Sequence, residues 1–460
     1  MTSTTRCSRT RSLAIFLLLA INPGVSAQDD FFSTIDIEIE ESGDSGPVEF
    51  LGWINQKFAY GFQVPGPLFS RSEKEINRIE TSLFGQVDVA IDDDTAFRFG
   101  ARMYHDEVYR WFDDTPYHPD EINEFRNRYE IRDFYLEHQY DNGVYFKLGN
   151  QMQVWGMSEY LRVTDLVNIE NQFALGQQDL EDLRLQIPAL QLSFSLGDWT
   201  VDNVATKRAG RNLLSPNGDE FDPFILFRQA GFAILEESVE HDTEYFLRAS
   251  TQLAQGDLQI VAGEFNDNGL SLQRFDALQS AQPQAIFRQN RMRALGFSAN
   301  WVEGSWLWFG ELGVHQDRQM QTNQANLLSS ISGWQERDQL LGVLGIEYSG
   351  IRDLLLTLEL DGIHTNNHDN TMLVEATQLG GGLRAYWTPL NERVQVLAVW
   401  NELVNIAGRV VRVSADYNWS DSLDFGLLWV SYDLDQKTPY AVYEFNDVFQ
   451  FQLRYSFQFE

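Results

Sequence analysis

Along much of the chain, apolar and polar positions take turns. From Phe449 to Phe459, Phe449, Phe451, Leu453, Tyr455, Phe457 and Phe459 interleave with Gln450, Gln452, Arg454, Ser456 and Gln458. A period of two places each set on one face of a β-strand. Residues 411–419 repeat the pattern, with Val411, Val413, Ala415, Tyr417 and Trp419 against Arg412, Ser414, Asp416 and Asn418. So do residues 97–104 and 144–151. Eighteen strands are predicted, at 49–62, 75–91, 95–108, 129–140, 143–154, 187–195, 198–206, 241–253, 256–267, 288–302, 305–316, 336–348, 353–364, 375–388, 393–402, 408–419, 422–433 and 445–459.

The connections alternate in length. Short turns fall near Asp92–Asp94, Asp141–Gly143, Gly197-Asp198, Gln255–Asp257, Glu303-Gly304, Gly350–Arg352, Pro389–Asn391 and Ser420-Asp421. Mostly long polar links lie between them. An even strand count with short turns at one end and longer loops at the other is the pattern of an outer-membrane barrel. Both chain ends then fall on the short-turn, periplasmic side. In hydrocarbon a sheet satisfies all its backbone groups only by closing. The fold class expected is therefore all-β, a single closed antiparallel transmembrane β-barrel of about eighteen strands. Trp301, Trp306, Trp308, Trp387, Trp419 and Trp429 suit interfacial girdles. A soluble sandwich or propeller would explain the alternation but not the asymmetry of the connections.

Residues 1–27 read as a cleaved signal peptide. Arg6, Arg9 and Arg11 precede an apolar core from Leu13 to Ile21, and Val25-Ser26-Ala27 is a small-residue cleavage site. The core is about half of the ~20 residues that a spanning helix needs. An acidic periplasmic N-terminal segment, 28–47, follows, and the barrel occupies 48–460. No later stretch approaches ~18 consecutive apolar residues, which excludes a helical membrane protein.

Charge and cysteine remove further classes. The net charge is −33, so a nucleic-acid partner, which needs a basic footprint, is not expected. The one cysteine, Cys7, lies in the leader. The rest of the chain has no thiolate metal site, disulfide or cysteine nucleophile.

Function must then sit in the loops and lumen. Two links are long, 155–186 and 207–240. The first mixes Trp155, Glu159, Arg162, Asp165, Asn168, Glu170, Asp179, Glu181, Asp182 and Arg184 with Leu161, Val163, Leu166, Val167, Ile169, Phe173, Leu175, Leu180 and Leu183. Its apolar residues favour burial, so 155–186 is expected to fold inward and narrow the pore. The alternative is a loop covering the outer rim. Trp155, Asp165, Asn168, Glu170, Asp179, Asp182 and Arg184 are the candidate constriction or solute contacts. The run Ile225–Val239 in the second link suits a helix or an extra strand. By parity, Glu80, Asp88, Arg98, Arg102, Asp106, Asp133, Glu137, Lys147, Glu359, Asp361, Arg384, Asp416 and Arg454 face the lumen, whose inner wall reads as polar with mixed charge. Acid predominates, which argues against a polyanionic cargo and for weak cation selectivity.

Chemistry is not indicated. His364 and His368 have the i, i+4 spacing of a helical metal site, but their stretch reads as a loop. No G-x-S-x-G or H-E-x-x-H occurs. No enzyme activity, metal or cofactor is expected.

Two resemblances extend this reading. The stretches Gly149–Ser158 (GNQMQVWGMS), Asp165–Asn168 and Asp179–Pro188 resemble a proteobacterial family of largely uncharacterised outer-membrane barrels. That family shows a G-R-Q-x-x-x-W-G-E-S strand end, an Asn/Asp-rich loop and a Pro before the next strand. Asn150 stands where the family has Arg, and Met157 where it has Glu. The resemblance implies association with RND-type exporters and hydrophobic compounds. The barrel size is also similar to that of the alginate-export porins, whose pore is basic, unlike this chain. The tail Tyr455-x-Phe457-x-Phe459 resembles the signature read by the outer-membrane assembly machinery, with Glu460 added after the final Phe.

The function expected is an outer-membrane porin-like channel for small or lipophilic solutes. The alternative is a non-transport outer-membrane barrel acting as receptor or scaffold. Expected partners are outer-membrane lipid, the assembly machinery and a periplasmic or inner-membrane transporter component.

Overall fold

The computed structural model describes residues 47–459, except 65–67, 72–73, 112–116, 159, 180–181, 208–209, 277–281, 324–332, 406–407 and 436–440. The leader and residues 28–46 lie outside the described residues, as do Glu159, Leu180 and Glu181.

Eighteen strands form one sheet. In chain order they are β1 (Val48–Gly61), β2 (Glu75–Asp92), β3 (Thr95–Asp106), β4 (Asn127–Gln139), β5 (Tyr145–Gln151), β6 (Ile187–Leu196), β7 (Trp199–Lys207), β8 (Thr243–Leu253) and β9 (Gly256–Asn266). Then follow β10 (Arg291–Glu303), β11 (Trp306–Gln321), β12 (Trp334–Ile351), β13 (Leu354–Thr365), β14 (Thr377–Trp387), β15 (Val394–Leu403), β16 (Gly408–Ser420), β17 (Leu423–Leu434) and β18 (Val448–Phe459). Sequential neighbours pair antiparallel, and β18 closes on β1 from Gly61↔Val448 to Phe50↔Phe459. The sheet therefore has no outer edge strand, which is what the bilayer demands.

Each strand of the eighteen coincides with a predicted one, with shifts at the ends. β11 and β12 run further towards the long loops, across a bulge between His315 and Arg318. β5 is shorter, because pairing stops at Gln151. Beyond it the Gln153 amide donates to Asn168 Oδ1 (3.0 Å), which draws the chain inward. The run Ile225–Val239 holds both a helix, Ile225–Gln229, and a strand, Ala233–Glu236.

Outward faces carry exposed Leu, Ile and aromatic side chains. Trp301, Trp306 and Trp308 cluster at the Gly304 turn, and Trp387 and Trp419 lie beside other short turns. The inner wall is not uniformly polar. On β6–β10, Ile187, Ala189, Val204, Phe246, Val261, Phe265, Met292 and Ala294 are buried against lumen residues. That apolar stretch answers an apolar filling segment rather than water.

On β18, Phe449, Tyr455 and Phe459 are exposed while Gln450 and Ser456 are buried. Leu453 shares the outward parity and lies midway along the strand. Leu453→Arg is expected to destabilise the barrel by ~2–4 kcal/mol. Gln452→Arg, beside Asp416 inside, should cost much less. Equal losses in lipid refolding titrations would contradict this facing.

Candidate functional site

The site is built by residues 152–186, which leave the wall after β5 and return to it at β6. Trp155 is fully buried among the apolar inner residues of β6–β10, with Leu166 and Val167. Its ring meets Phe246 edge-on (6.3 Å), and Gln259 Nε2 donates to its carbonyl (2.5 Å). The chain then crosses to β11. Glu311 Oε1 accepts from the Met157 and Ser158 amides (2.6 and 2.9 Å). Its Oε2 accepts from the Thr164 amide and hydroxyl (3.0 and 2.7 Å). Glu359, on β13, accepts from the Ser158 hydroxyl. Gly296 and Gly313 leave room here: a Cβ would lie 2.9 Å from Thr164 and 2.8 Å from Val163.

A small sheet follows inside. Ile169–Gln172 pairs with Arg184–Leu185 antiparallel and with Leu213–Leu214 parallel. Asn168 is fully buried, and Arg162 Nη1 donates to its carbonyl (3.0 Å). Glu170 pairs with Arg162 (2.9 Å). Asp165 is held by Arg184 (2.6 Å) and Arg162 (3.6 Å). Burial opposes its ionisation, but the charges of Arg184 and then Arg162 outweigh burial and keep its pKa below the ordinary range.

The segment then reaches the far wall. Arg412, on β16, donates to the carbonyls of Gly176 (3.1 Å) and Gln178. Asp179 meets Lys57 of β1 (3.1 Å) and Arg454 of β18 (3.6 Å). Asp182 meets Arg102 of β3 (2.6 Å) and Arg132 of β4 (3.0 Å). Burial again works against both acids, yet Lys57 and Arg454 hold Asp179, and Arg102 and Arg132 hold Asp182, below their usual values. One segment is thus tied to β11, β13, β16, β18, β1, β3 and β4.

Every candidate of the 155–186 group except Trp155 and Asn168 carries an ion pair. Of the lumen candidates, Arg102, Glu359 and Arg454 touch the segment. Others pair within the wall: Arg98 with Asp88 (2.5 Å), Lys147 with Glu137 (3.7 Å) and Arg384 with Glu347 (3.5 Å). Asp361 lies beside Gly380, and Asp133 is half-buried. Sequence reasoning missed Lys57, Arg132, Glu311 and Arg412. Alternation with Phe58 and Tyr60 would have found Lys57. Arg132 was hidden because a bulge on the β3–β4 ladder turns both it and Asp133 inward. His364 and His368 bond to Thr377 and to the Val374 carbonyl.

The second long link begins in that inner sheet, at Leu213–Leu214, and then runs to the rim near Ser70 and Asn446. Glu220 pairs with Arg71 (2.8 Å), and Asn446 Nδ2 donates to its carbonyl (2.7 Å). Nearby, Glu121 on the helix Pro119–Arg126 and Asp219 are both buried. Burial, then neighbouring carboxylates, pushes Glu121 up to about 8 and Asp219 up to about 7. Both therefore keep protons in the folded rim where unfolded carboxylates would have lost them. Their support is present in acid and fades as pH rises through 7 to 8. Protease nicking within 117–126 and 210–222 is expected to increase between about pH 6 and about pH 9. Nicking independent of pH would refute this.

A family model described as "Protein of unknown function (DUF1302)" matches residues 75–202, less than half the chain but including all of 155–186. No curated protein matches the chain. Crystal structures of similar fold include OccAB3 of Acinetobacter baumannii (9% identity, TM-score 0.51, 90% of this chain and 99% of that one). OccK2 (OpdF) of Pseudomonas aeruginosa, in complex with glucuronate, gives 10% identity and TM-score 0.50 over 90% of this chain and 97% of that one. OccAB1 of A. baumannii gives 8% and 0.50 over 91% and 99%. The fold is that of an outer-membrane β-barrel of the porin type.

Proposed function

We propose that the protein is a channel of the Gram-negative outer membrane, passing small or lipophilic solutes, and not an enzyme. The observation that carries this reading is the lumen segment 155–186, tied by buried carboxylates to opposite walls. Such a segment narrows a wide barrel without closing it by a separate domain. Trp155, Asp165, Asn168, Glu170, Asp179, Asp182 and Arg184 then shape the constriction, mostly by holding the segment in place. Outer-membrane lipid and the assembly machinery are the partners this implies. A periplasmic or inner-membrane transporter component is a further partner in the proposal.

The free charges of the lumen set the selectivity. Asp179 and Asp182 are matched by wall cations, so they add little field. Asp133, Asp361 and Asp416 add further carboxylates to the inner wall. Weak preference for cations follows. Single-channel recording in a KCl gradient tests both points. Steps with a potassium-selective reversal potential are expected. Clear chloride preference would overturn the selectivity, and the absence of any conductance would favour a receptor or scaffold.

A further inference from the structure

One edge of β4 is only partly paired. β4 pairs with β3 from His105↔Asn127 to Thr95↔His138. On its other edge it pairs with β5 only from Phe134↔Asn150 to Gln139↔Tyr145. Among the described residues, no strand covers that edge over Asn127–Asp133.

The depth of this gap matters. β5 has 7 residues. At ~3.4 Å per residue and a tilt of ~40°, seven residues rise roughly 18 Å, less than the ~25 Å apolar band. β4, with 13 residues, clears the band. Part of the uncovered edge therefore lies at hydrocarbon depth. The outward side chains there are apolar and very open, with Tyr129 73% and Ile131 61% exposed.

Unpaired backbone in hydrocarbon is costly. One side chain offsets it: Asn150 Nδ2 donates to the carbonyls of Ile131 (3.1 Å) and Arg132 (2.5 Å), in place of a strand. Gly149 permits the close approach, with φ of 139° and a Cβ position only 2.0 Å from the Phe134 carbonyl oxygen. A side-chain amide is a weaker and more easily parted seal than a ladder.

Both sides of the gap suit an amphiphile. Inside lie Arg102, Arg128 and Arg132, paired with Asp182 and Glu130, with Asp179 and Glu80 also close. Arg128 stacks over Tyr104 (4.0 Å) and Phe173 (4.5 Å). The inner face of the gap is rich in guanidinium groups and aromatic rings. Outside, one strand beyond β5, begins a groove of about 790 Å³ lined by Leu190, Leu192, Ala205, Leu247, Ala262 and Leu295.

We propose that this gap is a lateral portal between lumen and bilayer, taking a solute with an apolar body and an anionic head, with Asn150 as its latch. The proposal rests on the channel reading and names its solute class. The apolar body slides past Ile131 and Tyr129, and the head is received by the arginines inside.

The test uses the full chain with Cys7→Ser, reconstituted in lipid nanodiscs. Single cysteines are placed beside the gap (Glu130→Cys, Arg132→Cys) and on the inner face where β4 and β5 are paired (Glu137→Cys, Lys147→Cys). N-dodecylmaleimide dissolved in the lipid should label the first two severalfold faster than the second two. A charged, water-soluble maleimide should not show that order. Asn150→Leu should speed the lipid-phase reaction at Glu130→Cys, and dodecanoate should slow it more than dodecylamine does. Uniform lipid-phase rates overturn the portal. Should Arg132→Cys not yield a heat-modifiable barrel, Glu130→Cys against Glu137→Cys decides alone. Conductance is read separately. A conducting barrel with uniform labelling overturns the portal and leaves the channel. A silent barrel with graded labelling overturns the channel and leaves the portal.

Discussion

Deleting residues 160–182 should enlarge single-channel conductance severalfold while leaving a heat-modifiable barrel. The deletion removes Asp165, Glu170, Asp179 and Asp182 together with Leu166 and Phe173, so the crossing of the lumen is lost. Breaking one partner of a buried ion pair usually costs ~3–5 kcal/mol, because the other charge stays buried and unpaired. Here water replaces the whole segment, so Lys57, Arg102, Arg132 and Arg454 become solvated rather than stranded. The barrel ladder, which depends on none of them, should hold. The same exposure of wall cations should move selectivity towards chloride. Unchanged conductance in an intact barrel would move the constriction to the 207–240 link.

Glu311→Ala should release the near end of the segment without touching the strands. One carboxylate serves three backbone amides and the Thr164 hydroxyl. A buried donor left without an acceptor costs about 1–3 kcal/mol, so the docked state of 157–164 should lose roughly 3 kcal/mol or more. Glu311→Gln should do less. Its carbonyl oxygen still serves the two amides on one side, and only its amide group meets donors on the other. The expected readouts are frequent current fluctuations and new protease cleavage near residues 157–164 in Glu311→Ala, with weaker effects in Glu311→Gln. A quiet, protected Glu311→Ala channel would show that apolar packing of Trp155, Met157 and Val163 holds the segment unaided.

Alternation alone determined the strand count, the order of short and long connections and the facing of most side chains. It could do so because one wall of every strand must meet lipid, and that demand repeats at period two whatever lies inside. It also marked 155–186 as a segment that mixes burial and charge, and placed Arg102, Glu359 and Arg454 on the inner face. What it could not give was partnership. Asp182 meets Arg102 across 80 positions and Asp179 meets Lys57 across 122, distances over which no local pattern reports. Glu311 reads in sequence as one more polar inner residue; only the tertiary structure makes it the anchor of 157–164. Arg132 sits behind a bulge that reverses parity, and a one-residue slip moves every later side chain to the opposite face. The early end of β5 was equally invisible. Gln151, Gln153 and Val154 continue the alternation, but Asn168 and Glu311 draw the chain inward, and the gap left beside β4 is decided by that competition.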